Sequence, residues 1–235
     1  MSINYPQILV SLNYAVKFVP VTLLLTVVPL LLGILIGGSI AIVRVFRIRI
    51  LSNILDVAVT IFKGIPSTLI ILISSLFFTN AFDNFAKSLN WSIRSKDINV
   101  IYIALFALSI SATVSISETI RGALLSIEQN QYDAAYSIGL TKVQTFKRII
   151  LPQVFLVIIP TLSGNLIGLL KGSSIAFLIG VSEILNSSLR TANATYAFLE
   201  AYIAAAIIYW GLGILIEISG KFIEKKFSCY RRNLA

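Results

Sequence analysis

QYDAAYSIGLTKVQTFKRIILPQ, Gln131–Gln153, is a moderately polar island set between two long apolar runs. It carries one acid, Asp133, and three basic residues, Lys142, Lys147 and Arg148. Charged side chains are costly inside a bilayer, so the island lies outside the hydrocarbon, where another protein can grip it. Tyr132 to Ile138 reads as a short helix closed by Gly139 in the left-handed position that glycine favours after a helix. Thr141 then supplies an N-cap, and Gln144 three residues later completes a capping box. The shape expected is helix, sharp turn, helix. Ala134 and Ala135 would leave a low surface for a groove to accept, with Asp133 as an exposed anion.

Working outward, the flanks are apolar. The 235 residues are 57% hydrophobic and 12% charged, with a mean hydropathy of +0.91, whereas soluble domains run near a quarter charged. Phe18–Val43, Ile65–Phe82, Ile98–Ser117 and Ile149–Leu170 hold no charged residue. Each reaches or approaches the roughly 18–20 residues that cross a ~30 Å bilayer. Ala201–Ile216 is a shorter fifth run containing Tyr202, Tyr209 and Trp210. Five spans give an all-α membrane protein. The net charge of +9 is distributed as topology, not as a nucleic-acid surface: twelve basic residues, among them Arg44, Arg47, Arg49, Arg121 and Lys142, fall on one side, and six on the other. That asymmetry places the N-terminus outside and the C-terminus in the cytoplasm. Residues 1–19 read as an N-terminal interfacial segment, 20–227 as the transmembrane domain and 228–235 as a cytoplasmic tail.

Several positions carry chemistry within this frame. Gly33 and Gly37 form a small-xxx-small pair that lets helices approach closely or lines a pore. Lys63-Gly64-Ile65-Pro66-Ser67-Thr68 interrupts span two, and such breaks survive in a membrane only where protein or water satisfies the freed backbone. Lys63 either faces a cavity or partner or snorkels to the interface. Glu118 can pair with Arg121 one helical turn on or serve function. Ser163, Asn165, Ser173 and Ser174 give span four polar groups, and Lys171 to Glu183 reads as a re-entrant or interface-lying segment. No histidine occurs, and the lone Cys229 offers neither a disulfide framework nor a metal cluster. No phosphate-cradling G-x-x-x-x-G-K-[ST] is present either. These absences set enzymes aside and leave a channel or transporter subunit, because broken helices with nearby hydroxyls suit a polar solute.

Asp133-Ala134-Ala135, three residues, Gly139, nine residues, then Ile149-x-Leu151-Pro152 resembles the EAA loop of bacterial ABC importer permeases, with Asp133 in place of the usual Glu. Lys63-Gly64-Ile65-Pro66, Ser117-Glu118-x-x-Arg121-Gly122 and Lys171-Gly172-Ser173-Ser174 are similar to elements of the polar amino acid permease group. The resemblance covers about Pro20 to Phe227. It implies a type I importer transmembrane domain of five helices, paired with an identical or homologous second permease in the bacterial cell membrane. It further implies two cytoplasmic ATPase subunits, which hold the ATP and Mg²⁺, and an extracytoplasmic solute-binding protein. Asp133, Ala134, Ala135 and Gly139 would couple the chain to the ATPase. Lys63, Ser67, Glu118, Asn165, Leu166, Lys171, Ser173 and Ser174 would border the solute pathway. Members taking cationic amino acids often carry Asn-Glu where this chain has Asn165-Leu166, and the remaining wording looks most like the cystine-type members. Glutamine, an osmolyte, or an ATP-independent channel or carrier remain the alternatives.

Overall fold

The computed structural model describes residues 3–193 and 195–232, with side chains to residue 227. Among these residues the chain is helical without strands. The helices are α1 (Tyr5–Ala15), α2 (Val19–Leu32), α3 (Gly38–Val45), α4 (Arg49–Gly64), α5 (Ser67–Ser88), α6 (Ile101–Leu125), α7 (Gln129–Ser137), α8 (Lys142–Thr145), α9 (Leu151–Ser173), α10 (Ile184–Ala192) and α11 (Phe198–Arg232). Five segments are long and apolar enough to cross a membrane: Tyr5–Val45, Ser67–Ser88, Ile101–Leu125, Lys142–Ile179 and Phe198–Phe227. They correspond one to one with the five apolar runs. Residues 233–235 of the expected tail lie outside the described residues; the backbone before them continues α11.

Two boundaries differ from the sequence reading. The N-terminal helix does not stop before span one, because a short 3₁₀ turn at Val16–Phe18 carries it into α2. Residue 19 is therefore no break, and α1 packs on α10 and α11 with Ser11 and Ala15 buried. The second difference is a correction to Lys63. Span two begins at Ser67, so Lys63 lies before the span, in the last turn of a separate helix, α4. Pro66 is the cause: it bars its predecessor from helical backbone, and Ile65 is extended at φ −91°, ψ 125°.

Lipid tails are as apolar as leucine, so helices in a membrane associate through close packing and hydrogen bonds. Gly33 and Gly37 supply the closeness. A Cβ on Gly37 would stand 2.6 Å from the Thr113 carbonyl oxygen and 3.0 Å from the Ser117 nitrogen, both backbone atoms of α6. The helix locally widens into a π turn at Gly33–Gly37, just after the internal Pro29, where a missing amide donor invites such a distortion. On the far side, Gly220 of α11 lies hard against Ser163 of α9. Span three is the centre of the bundle, with α2, α3, α5 and α9 packed around it.

The segment after span four does not cross again. Ser174–Ile179 is a 3₁₀ turn ended by Gly180 at φ 89°, and α10 then lies against α1 and α11. Buried Glu183 caps α10, accepting hydrogen bonds from the Leu185 and Asn186 amides at 2.9 and 2.7 Å and from the Tyr209 hydroxyl at 2.6 Å. Its role is anchorage: it fastens the start of α10 to span five.

Candidate functional site

Two features carry chemistry, and span three connects them. The first is the polar turn after it. Helix α7 ends as expected: Gly139 adopts φ 84°, its amide donates to the Tyr136 carbonyl at 2.9 Å, and the Leu140 amide reaches back to the Ala135 carbonyl at 3.1 Å. That pairing satisfies carbonyls the helix end would otherwise leave open. Thr141 and Gln144 form the capping box that starts α8, with bonds of 2.9 and 3.3 Å. A π turn, Phe146–Ile150, then leads into α9.

The outward surface of this turn is not the one the alanine pair suggested. Ala135 is 4% exposed, because Tyr132 and Ala135 share a helix face, and Tyr132 packs on the core cluster of Ala123, Leu124, Ile150, Val154 and Ile158. Asp133, Ala134, Tyr136 and Ile138 face outward, Ile138 with 76% of its surface free. Val143 of α8 adds a second exposed apolar residue. A small anionic and apolar knob thus projects from the end of the bundle.

The second feature lies where spans one and three meet α4. Arg47 and Arg49 take left-handed backbone, φ 48° and 44°, and the chain reverses so that α4 packs on α3. This brings Asp56 to the Arg44 guanidinium at 2.6 Å. The other side of that guanidinium meets Glu118 of α6, also at 2.6 Å. Glu118 further receives Lys63 at 3.3 Å and Arg121 at 3.3 Å. Three cations therefore share two carboxylates. Arg44 is 7% exposed on its side chain, whereas Lys63 is 63% exposed.

Lys63 and Glu118 open onto a cavity of ≈ 370 Å³ whose other polar lining is Ser67, Ser111, Ser115 and Thr119. Asn165 of α9 bonds to two of these residues: its Oδ1 accepts from the Ser115 hydroxyl at 3.0 Å and its Nδ2 donates to Thr119 Oγ1 at 2.9 Å. Cavities of ≈ 560 and ≈ 900 Å³ elsewhere are lined mainly by aliphatic and aromatic side chains. Of these three, the smallest combines charge with several hydroxyls, the lining that holds and orients a polar solute. Among the described residues no three His, Cys, Asp or Glu side chains gather as a metal site needs.

The structure brings Lys63, Ser67, Glu118 and Asn165 together. Leu166, Lys171, Ser173 and Ser174 do not line this cavity. Ser173 and Ser174 spend their hydroxyls on the Leu170 and Lys171 carbonyls, both at 2.7 Å. Arg44 and Asp56 are members that sequence reasoning missed, since both read as ordinary charges beside a span. The Glu118–Arg121 pairing was visible as an i,i+3 spacing, but the two other partners come from distant segments.

Comparison with known proteins gives relatives over nearly the whole chain. A family model described as "Binding-protein-dependent transport system inner membrane component" matches residues 10–228. "Probable amino-acid permease protein YxeN" of Bacillus subtilis (strain 168) is 28% identical over 213 residues, 91% of each chain. "L-cystine transport system permease protein TcyL" of the same organism is 30% identical over 209 residues, 89% of this chain and 85% of the relative. A solved structure described as an amino acid ABC transporter with histidines superposes with TM-score 0.80 at 22% identity, covering 96% of this chain and 100% of the other. That last likeness is one of fold.

Proposed function

Because this chain belongs to the binding-protein-dependent transport system inner membrane components, we propose that it forms the membrane pathway of an ATP-driven importer of polar amino acids, with L-cystine as the first candidate. The observation that carries the reading is the exposed helical turn from Gln129 to Thr145, closed by Gly139 at positive φ and presenting Asp133, Ala134 and Ile138. A turn held this firmly outside the bundle suits docking into a groove of another protein. In this reading that protein is a cytoplasmic ATPase, two copies of which serve a pair of permeases. ATP and Mg²⁺ bind to the ATPases, and a solute-binding protein docks on the opposite face. The charge asymmetry supports a C-terminus and coupling turn in the cytoplasm and an N-terminus outside.

The path from turn to cavity is short. Helix α7 follows span three after three residues, 126–128, and packs on α8 and the π turn that begin span four. Displacing α7 therefore loads α6 and α9 together, and these two helices hold Ser115, Thr119 and Asn165. A motion that separates α6 from α9 opens the cavity wall, as the switch between outward- and inward-facing states requires. Leu166, in place of a carboxylate, speaks against cationic solutes. The likeness to a cystine permease at 30% identity supports cystine.

Reconstitution with the ATPase and binding protein tests the reading. L-cystine should stimulate ATP hydrolysis and drive uptake. Stimulation by L-glutamine alone would replace the substrate and keep the class. Uptake driven by an ion gradient, with no ATPase present, would overturn the class itself.

A further inference from the structure

The ion cluster distributes its charges unequally, and the inequality singles out Lys63. Of the cations around Glu118, Arg44 is almost fully enclosed and is also bonded to Asp56. Arg121 is half-buried on the same helix, one turn from Glu118, and reaches it through two nitrogens at 3.3 and 3.5 Å. Lys63 differs in each respect. It comes from another helix, its side chain is mostly exposed, and it makes one contact of 3.3 Å, to Glu118 Oε2. An ammonium has three donors, and among the described residues only Glu118 takes one.

The local charge count completes the picture. Arg44, Lys63 and Arg121 stand against Asp56 and Glu118, leaving one positive charge uncompensated. A carboxylate entering the cavity neutralises that charge; a cation without a carboxylate adds to it. The lining also carries four hydroxyls, Ser67, Ser111, Ser115 and Thr119, among apolar side chains, and their lone pairs can accept from an ammonium. Resting on the reading of this cavity as part of an amino acid pathway, we infer that Lys63 is its carboxylate contact. The solute's carboxylate takes the ammonium from Glu118, while Arg44 and Arg121 keep Glu118 in place. Lys63 is thus a specificity-determining residue that admits zwitterions and anions and disfavours amines lacking a carboxylate.

The test uses the full transporter complex in nanodiscs, with Ser67→Cys as reporter in a Cys229→Ser background. Anionic and cationic methanethiosulfonate reagents are compared at low ionic strength. A unit charge ~8 Å away changes each reagent's local concentration roughly 2.4-fold even at bulk dielectric, so their rate ratio changes roughly sixfold or more. Lys63→Gln should lower the anion-to-cation ratio by that factor, and Lys63→Arg should retain it. With Lys63 intact, added salt should collapse the ratio. Acetate should slow the anionic reagent relative to chloride at equal ionic strength, an effect Lys63→Gln abolishes. An unchanged ratio in Lys63→Gln, or no acetate effect with Lys63 present, overturns the inference. Should Lys63→Gln not assemble, a ratio insensitive to salt in the parent overturns it equally. No amino acid is added here, so the outcome is independent of the reconstitution experiment, which alone decides the amino acid reading.

Discussion

Replacing Arg44 by methionine removes a side chain that ion-pairs span one with both α4 and span three. Its guanidinium gives two bonds of 2.6 Å, to Asp56 and Glu118. Hydrogen bonds to charged groups contribute about 1.5–3 kcal/mol. The Asp56 carboxylate is half exposed, which discounts that arm to about 0–1 kcal/mol. Glu118 keeps Lys63 and Arg121 when Arg44 is lost, so the other arm sits at the low end of its range. Arg44→Met should then cost roughly 2 kcal/mol. Glu118→Gln should cost more, roughly 3 kcal/mol, because it strands Arg44 with one exposed partner and leaves Lys63 and Arg121 with no anion between them.

The double variant separates a network from two unrelated losses. With Arg44 gone, removing Glu118 no longer strands a buried cation, so the double change should cost about 1–2 kcal/mol less than the sum of the singles. Thermal unfolding of the purified protein in nanodiscs measures this. At roughly 2–4 °C per kcal/mol for a chain of this size, Arg44→Met should lower the midpoint by about 4–8 °C. Additivity within about 0.5 kcal/mol would refute the network. So would an Asp56→Asn variant as costly as Arg44→Met, because it would mean the exposed arm dominates.

Gly37→Leu should destabilise the bundle by roughly 1–3 kcal/mol, since the atoms its side chain meets are backbone and cannot swing aside; Gly168→Ala, with nothing within 4 Å of the added carbon, should leave the unfolding midpoint within a degree or two. Asp133→Lys and Gly139→Pro should uncouple ATP hydrolysis from uptake while the chain stays membrane-inserted, and normal uptake per ATP in both would remove the coupling role from α7. Tyr209→Phe should cost about 1.5–3 kcal/mol in thermal unfolding, because it deletes the hydroxyl that donates to buried Glu183 at 2.6 Å; an unchanged midpoint would show that the two backbone amides suffice to hold the cap.

The spans and the bent shape of the polar turn were legible because their signals are local. Charge-free runs of span length have few other uses, and Gly139, Thr141 and Gln144 act on neighbours within three or four residues. Gly33 and Gly37 were legible as a packing motif, though not their partner, α6. What escaped depended on distant pairing. Arg44 and Asp56 are twelve residues apart across a reversal made by two non-glycine residues at positive φ, a conformation that arginine does not advertise. Helix α4 was hidden for a related reason: its isoleucines and leucines blend into the neighbouring spans, and only the extended Ile65 before Pro66 divides them. Ala135 was misread because spacing alone does not tell which face of a short helix turns toward its own chain.

The arrangement along span three links the cavity to the polar turn. Ser115, Glu118 and Thr119 occupy successive positions on one side of α6, within a single turn or little more. Ser115 and Thr119 clasp Asn165 of span four, while Glu118 binds groups from span one and α4. A shift of α6 relative to α9 of an ångström or two takes a hydrogen bond of 2.9 Å beyond its useful range. The same shift changes the Glu118 distances to Arg44 and Lys63. From Thr119 to the end of α6 is six residues, about 9 Å of helix, and three more residues, 126–128, join it to α7, so a push at the turn has a short way to travel to this clasp. Three of the cavity's hydroxyls, Ser111, Ser115 and Thr119, and the carboxylate that holds Lys63 thus lie on one helix, and that helix leads directly to the exposed polar turn.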